Sequence, residues 1–483
     1  MSDHVSLNIR LQSKQSPWLE KLRVRRVTIQ EALSRFYRVS IEALAPREDP
    51  GVGELVGSRA TIVIERDDAD PRILHGVITE LVDRFSSHDE ARVVELAIEP
   101  QAGALARHSA PRVFVDATLP EIVEKKLHAV LGETGTCEVA LGEHHPRRPM
   151  VLQYGEDDHA FLARQLEHVG ATWLFEQGSD AETIRVVDAI HRGPEADVLQ
   201  IRHRARGEHR DIFALERREQ IVPSMHVVAG YDLARPELRI LHVEGKANGP
   251  CGATLEVDSG VTDADDARRI AIVRREEAQA SATVWSGRST CTSLTAGLHV
   301  TVTDRPGVDD LRLLVTEVTH EATVPVSESL APAEPPHYEN TFLAIPAERP
   351  FRPTRMTPRP RIAGLLPAMI EGIDATSGGA AAPLDEEGRY LVRFLFDVRT
   401  KREGAASCRV PLAQGFVATG GGIHFPLAAG VEVLVAFVDG DPDRPVIVGA
   451  LPTQSKPSPV TLANPGVNRL RTASGITFDV VER

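Results

Sequence analysis

The sequence predicts a mainly β protein with inserted helices, and three observations predict it. First, residues 389–397 put Tyr390, Val392, Phe394 and Phe396 on one face, and residues 431–437 do the same with Val431, Val433, Val435 and Phe437. That period of two belongs to half-buried strands. Second, residues 439–445 read Asp-Gly-Asp-Pro-Asp-Arg-Pro, dense in turn formers, before a further apolar run at 446–448. Third, stripes of helical period with capping residues interrupt the strand pattern in three places. Short strands joined by tight turns around residues 387–451 suit a small closed β-barrel whose inward positions are filled by side chains.

The bulk numbers bound the rest. A chain of 483 residues exceeds one core and implies about three domains. With 55 Lys and Arg against 69 Asp and Glu, the formal charge is −14, which argues against a general nucleic-acid or anionic-membrane surface. Cys137, Cys251, Cys291 and Cys408 lie far apart without a Cys-x-x-Cys pair, which suits folding in a reducing cytosol. The start carries no signal-peptide pattern, and no run approaches the ~18 apolar residues of a membrane span. If the protein leaves the cell, it does so by a route that ignores signal peptides.

Taken in order, residues 24–100 are strand-rich, with strands at 39–41, 59–65, 73–79 and 92–99 separated by Asp, Gly and Pro clusters. Thr118 and Glu121 form a capping box, with Val123, Leu127 and Val130 striped behind it. A second helix starts near Asp157 or Asp158, carries Leu162, Leu166 and Val169, and stops at Gly170; a strand over 171–176 follows. Further strands fall at 212–217, 224–231, 294–303 and 311–319. A charged helix over 263–280 has Ala267, Ile270, Ala271 and Arg274 on one side. Residues 349–361, RPFRPTRMTPRPR, have no apolar period and read as a basic, Pro-rich connector.

The candidate chemistry is thin. Residues 51–57 form G-x-G-x-x-x-G, one residue too long for a dinucleotide loop, and they lead into a strand. His144 and His145 are adjacent and project apart, which fits a surface loop better than a shared metal. Residues 202–210 and 349–361 are basic without interleaved aromatics. They are expected to ion-pair with an acidic neighbouring subunit rather than stack on single strands. Neither a G-x-S-x-G elbow nor a compact Cys/His arrangement occurs. Glu432, Asp441 and Asp443 are expected to set turn and loop geometry. No catalytic residue, cofactor or metal is assigned.

Several motifs together resemble one family. The strand motif comprises Asp385, Glu386, Gly388, Arg389, Val392 and Phe394, and a second comprises Phe425, Pro426, Gly430, Glu432, Val433, Val435 and Phe437. The run Gly440, Asp441, Pro442, Asp443, Arg444, Pro445 and on to Gly449 is the most specific. Upstream, Gln153, Tyr154, Glu156, Asp158, Phe161, Arg164, Leu166, Glu167 and Gly170 fit a third pattern. Weaker matches are Gly57, Ala60, His75, Gly76 and Thr79, then Tyr231, Asp232 and Pro236, then Leu314, Val315, Thr316, Val318 and His320. The set resembles the VgrG proteins, trimeric spikes of bacterial type VI secretion systems and relatives of the hub and spike proteins of contractile phage tails.

The resemblance implies a phage-tail-hub-like part with two β-barrel-like units and inserted helices over 1–347, and a connector over 348–375. An oligomer-binding-fold (OB) barrel over 376–455 follows, then a linker and the first rung of a β-helix needle over 456–483. It further implies a homotrimer that caps a hexameric, Hcp-like tube and meets baseplate proteins. A PAAR-type protein sits on the tip, and effectors or their adaptors ride on the spike. Assembly is expected in the cytoplasm, followed by delivery outward, with the target membrane met only by puncture. The alternatives are the spike of an extracellular contractile injection particle, a cell-wall-degrading enzyme and an OB-fold ligand-binding protein.

Overall fold

The computed structural model describes the chain apart from residues 1–5, 46–54, 68, 85–91, 134, 191–197, 204–210, 232–236, 247–250, 259, 262, 305–309, 326–335, 373–380, 400–405 and 482–483. Six strands open it: β1 (Leu7–Gln12), β2 (Arg23–Ala32), β3 (Arg38–Ala45), β4 (Arg59–Arg66), β5 (Ala69–Arg84) and β6 (Arg92–Glu99). Their alternation buries Ile9, Ile29, Ile41, Ile62, Leu74 and Ile98 in one core. The middle of the chain holds β7 (Arg112–Ala117), α1 (Leu119–Leu131), β8 (Thr136–Ala140), β9 (Arg148–Gln153), α2 (Asp158–Val169), β10 (Thr172–Gln177) and β11 (Glu182–Val187). α1 begins at the expected capping box of Thr118 and Glu121; α2 is capped by Asp157 and ends at Gly170 in the left-handed region, φ 74°.

Beyond lie β12 (Val198–Arg202), β13 (Ile212–Glu219), β14 (Met225–Gly230), β15 (Ile240–Gly245), β16 (Ala253–Asp258) and α3 (Ala264–Ala282). Then come β17 (Thr283–Ser289), β18 (His299–Thr303), β19 (Leu311–Thr323) and β20 (His337–Pro346). The two barrel-like units share one 12-stranded sheet. Its order runs β1-β4-β5-β6-β3-β2-β19-β20-β17-β13, with β18 on β19 and β12 on β18. The joint between them is the antiparallel pairing of β2 with β19. A buried polar cluster closes that seam. Arg72 makes a two-pronged bond to Glu31 at 2.6 and 2.7 Å, Thr295 donates to Glu31 at 3.0 Å, and His320 Nδ1 meets the Tyr338 hydroxyl at 2.7 Å. Burial holds the His320 imidazole well below its ordinary pKa, hence neutral.

The last part holds β21 (Leu366–Ile370), β22 (Tyr390–Phe394), β23 (Ser407–Val410), the short ribbon β24 (Val417–Ala418) and β25 (Gly421–Gly422), β26 (Glu432–Phe437) and β27 (Pro445–Ala450). Five strands run in the order β23-β22-β21-β26-β27, and Leu412 bridges back to Ile447, bringing the two ends together. Tyr390, Val392, Phe394, Val433, Val435 and Ile447 fill the interior, as the alternation requires. β21 is the central strand of this sheet and lies inside the stretch expected to be connector. The chain closes with β28 (Val467–Arg471) and β29 (Thr477–Val481), an antiparallel hairpin in the segment expected to open a needle.

Candidate functional site

Two of the motif runs, 153–170 and 440–445, meet at the contact between the hub and the terminal barrel. Val113, Met150 and Leu152, from the two-stranded ribbon β7–β9, share one core with the barrel's Val392, Phe394 and Ile447. A two-stranded ribbon leaves backbone groups unpaired along its outer edges, and once covered they need partners. The barrel supplies them. Asp443 accepts from the Leu152 amide at 2.7 Å; Asp397 accepts from the Val113 amide at 3.4 Å; and Arg399 donates to the Val113 carbonyl at 2.8 Å.

The 439–445 run is the loop that aims Asp443. Asp439 and Gly440 both sit at positive φ, 57° and 74°, and Asp441 accepts from the Asp443 amide at 3.0 Å. The Gly440 carbonyl accepts from Ile362 N at 2.9 Å, and Arg444 N donates back to the Asp441 carbonyl at 3.0 Å. Pro442 is buried within the run, and Pro445 opens β27 opposite Phe437. The Arg444 guanidinium lies 5.5 Å from the Tyr231 ring centroid, tying the loop to the end of β14. Asp443 was expected to set turn geometry. Its carboxylate instead reaches across to another domain, because Asp441 already serves the turn.

The hub half of the contact is the Gln153-to-Gly170 motif. Arg164 pairs with Glu156 at 2.8 Å, both side chains buried, and donates to the Leu152 carbonyl at 3.0 Å. The main chain at Leu152 is thus held from the barrel through its N–H and from the hub through its C=O. Asp158 collects Lys126 at 2.6 Å, Gln153 at 2.8 Å and His108 at 2.7 Å. Burial alone would push the Asp158 carboxyl up, but those donors outweigh it and hold it below the usual aspartate range. Burial raises Glu156, helped by the nearby Asp443 charge, although Arg164 opposes both. Phe161 stacks on Phe114 with centroids 5.5 Å apart, and Tyr154 meets Phe396 across the contact at 5.8 Å.

The connector is strapped to its own chain. Arg352, buried, donates to Glu276 at 2.8 Å, to the Asp188 carbonyl at 2.6 Å and to Glu143 at 3.2 Å. Arg355 pairs with Glu256 at 2.6 Å, and Arg359 with Asp441 at 2.9 Å and Asp443 at 3.1 Å. Glu167 accepts from Thr357 N at 2.9 Å. These arginines were expected to seek an acidic neighbouring subunit. The correction has a simple cause: Glu276 on α3, Glu256 on β16, Glu167 on α2 and the 441–443 loop present carboxylates in reach of successive connector residues.

The other motif residues lie away from this contact. Gly388, φ 74°, and Arg389, bonded to Asp385 at 2.8 Å, form a hairpin tip. Gly430, φ 73°, starts the turn into β26; Phe425 and Pro426 are exposed, and Gly449 faces Leu434 on the barrel wall. His145 is not on a free loop, since its ring bonds Asp188 at 2.6 Å. Among the described residues no group of three or more His, Cys, Asp or Glu is placed to hold a metal. Residues 51–54 and 204–210, with Asp232 and Pro236, lie outside the described residues.

Comparison with known proteins settles the kinship. Residues 30–325, more than half of the chain, match the model of the phage tail baseplate hub (GPD) family. The chain belongs to that hub family. Its similar relatives include the type VI secretion system spike proteins VgrG5 and VgrG4b of Pseudomonas aeruginosa. Each is 26% identical, over 87% and 89% of this chain and 54% and 55% of its own length. The chain thus spans about half the length of these curated relatives. Among solved structures, the Escherichia coli c3393 protein matches with a TM-score of 0.66 and 25% identity. The match covers 92% of this chain and all of that one. That protein is described as a type VI secretion component similar to the T4 phage tail proteins gp27 and gp5. One chain of a Francisella PdpA–VgrG complex shares the fold over 99% of this chain and 83% of its own, with a TM-score of 0.62 and 9% identity. The hub kinship accounts for the mainly β architecture with its inserted helices.

Proposed function

We propose that the protein is the spike component of a type VI secretion system. Three copies cap the inner tube, with the terminal barrels and the segment after them pointing forward. One observation carries this reading. The terminal hairpin β28–β29 leaves one face fully exposed, and that face aligns Leu470, Phe478 and Val480 beside Asn468, while the Val467–Val481 and Arg469–Asp479 pairs lie on the other. An isolated two-stranded hairpin is marginal in water, and such an apolar face calls for further copies of itself. Threefold symmetry provides them around one axis. The rigid hub–barrel contact suits a body that must resist unfolding while it is driven through an envelope, and none of the contacts requires bond chemistry.

The partners follow from this role: a hexameric Hcp-like tube beneath the hub, baseplate proteins around it, a PAAR-type tip protein ahead, and effectors or adaptors as cargo. Assembly occurs inside the producing cell, followed by delivery outward on contraction. The test is genetic. In a host whose other spike genes are removed, deleting this gene should abolish tube protein in the culture supernatant and the wild-type gene should restore it. Undiminished release after deletion would refute the proposal.

A further inference from the structure

Among the described residues, two sheet faces are apolar and open to solvent. β14, β15 and β16 pack one side against α3 through Val228 and Ile240. Their other side carries Leu241, Val243, Leu255 and Val257, which are 52, 47, 69 and 71% exposed. Register places Val227 between Val243 and Leu255, and Ala229 between Leu241 and Val257, so the apolar surface is continuous across all three strands. The second face is the outer wall of the barrel on β21, β26 and β27. Pro367 pairs with Leu434, and Ala436 with Val446, while Val448 is 46% exposed beside them. A barrel wall in contact with water would alternate apolar-inside with polar-outside; here only Glu432, opposite Met369, is charged.

We propose that these two faces are partners in different copies: the β14–β16 face of one protomer docks on the β21–β26–β27 wall of the next. The inference rests on the trimeric reading above and specifies its contact. A closed three-membered ring needs a heterologous interface, made from two different patches present on every copy. The chain carries such a pair, both apolar and, among the described residues, both open to solvent at Leu255, Val257, Met369 and Val448. A foreign partner on one face would leave the other still exposed. Each face measures about 14 by 20 Å from strand spacing and rise. That is well below the ~800 Å² per partner of a standard interface. The contact is therefore one part of a ring completed by hub and hairpin. The Tyr231–Arg444 contact and the Asp443–Leu152 bond fix the angle between the two faces, and so the angle at which the ring closes.

Disulfide trapping in the full chain tests this. The double variant Val257→Cys/Val448→Cys, oxidised, should run as linked dimers and trimers on a non-reducing denaturing gel. Each single variant should behave as wild type, as controls for the native Cys137 and Cys251. Leu255→Glu should lose the trimer in sedimentation while keeping the wild-type circular dichroism spectrum. If wild type is trimeric but the double variant does not link, or Leu255→Glu trimerises like wild type, the pairing is wrong and the spike reading stands. If wild type sediments as a monomer, the trimeric reading fails first.

Discussion

Leu152 joins hub to barrel through its backbone as well as its buried side chain, and that makes Asp443 a sensitive residue. Replacing Asp443 with Ala leaves a covered amide without an acceptor and removes a partner of Arg359, at a cost of about 1–3 kcal/mol. Asp443→Asn keeps an acceptor for the amide and should lose less. Urea denaturation of both variants checks the order. Asp158 gives the hub a pH dependence whose sign follows from its donors. Its folded pKa lies below the unfolded value, so its contribution is present above the unfolded value and is lost as pH falls through the folded one. Glu156 runs the other way: its raised pKa disfavours the ionised fold, and acidification through that pKa relieves the penalty. Denaturation midpoints measured below the usual aspartate range should fall with pH for wild type and stay flatter for Asp158→Asn. At this scale the sequence was half legible. It marked Asp441, Asp443 and the Gln153 motif as special, but the amide each one serves is set by tertiary contact, which leaves no local trace.

Gly170 shows how an element end is fixed by its neighbours. Its φ of 74° stops α2, and a Cβ there would stand 2.5 Å from Val273 and 3.0 Å from the Arg352 side chain. Gly388 has the same φ of 74° with nothing within 4 Å. Gly170→Ala should therefore cost about 1–3 kcal/mol more than Gly388→Ala, where only the ~1 kcal/mol conformational term applies. Thermal melts of the two variants compare them directly. Helices were readable because their caps are local: Thr118 with Glu121, Asp157 and Gly170 all stand where expected. β21 was not readable. It is five residues long, contains Pro367 and follows a run of prolines, so its central place comes from pairing with β22 and β26 far along the chain. β20, where no strand was expected, alternates buried and open positions from Tyr338 to Ala344 and pairs with β19 and β17.

At the scale of the whole molecule, the continuous 12-stranded sheet makes the hub one body, and the connector arginines strap the barrel's approach to it. The family resemblance implied two barrel-like units, but the β2–β19 pairing that merges them joins strands about 290 residues apart, beyond any local period. Cutting the strap should loosen the molecule. Arg352→Ala leaves Glu276 without its bonded partner and two backbone carbonyls without a donor, and should cost about 3–5 kcal/mol. Limited proteolysis should then cut within 353–365 faster than in wild type.

If three copies interlock, sedimentation velocity on the purified 483-residue chain shows a single boundary at three times the 52.7 kDa chain mass, shifting toward the monomer when residues 456–483 are removed. A 483-residue chain that stays monomeric across the micromolar range would overturn the trimer.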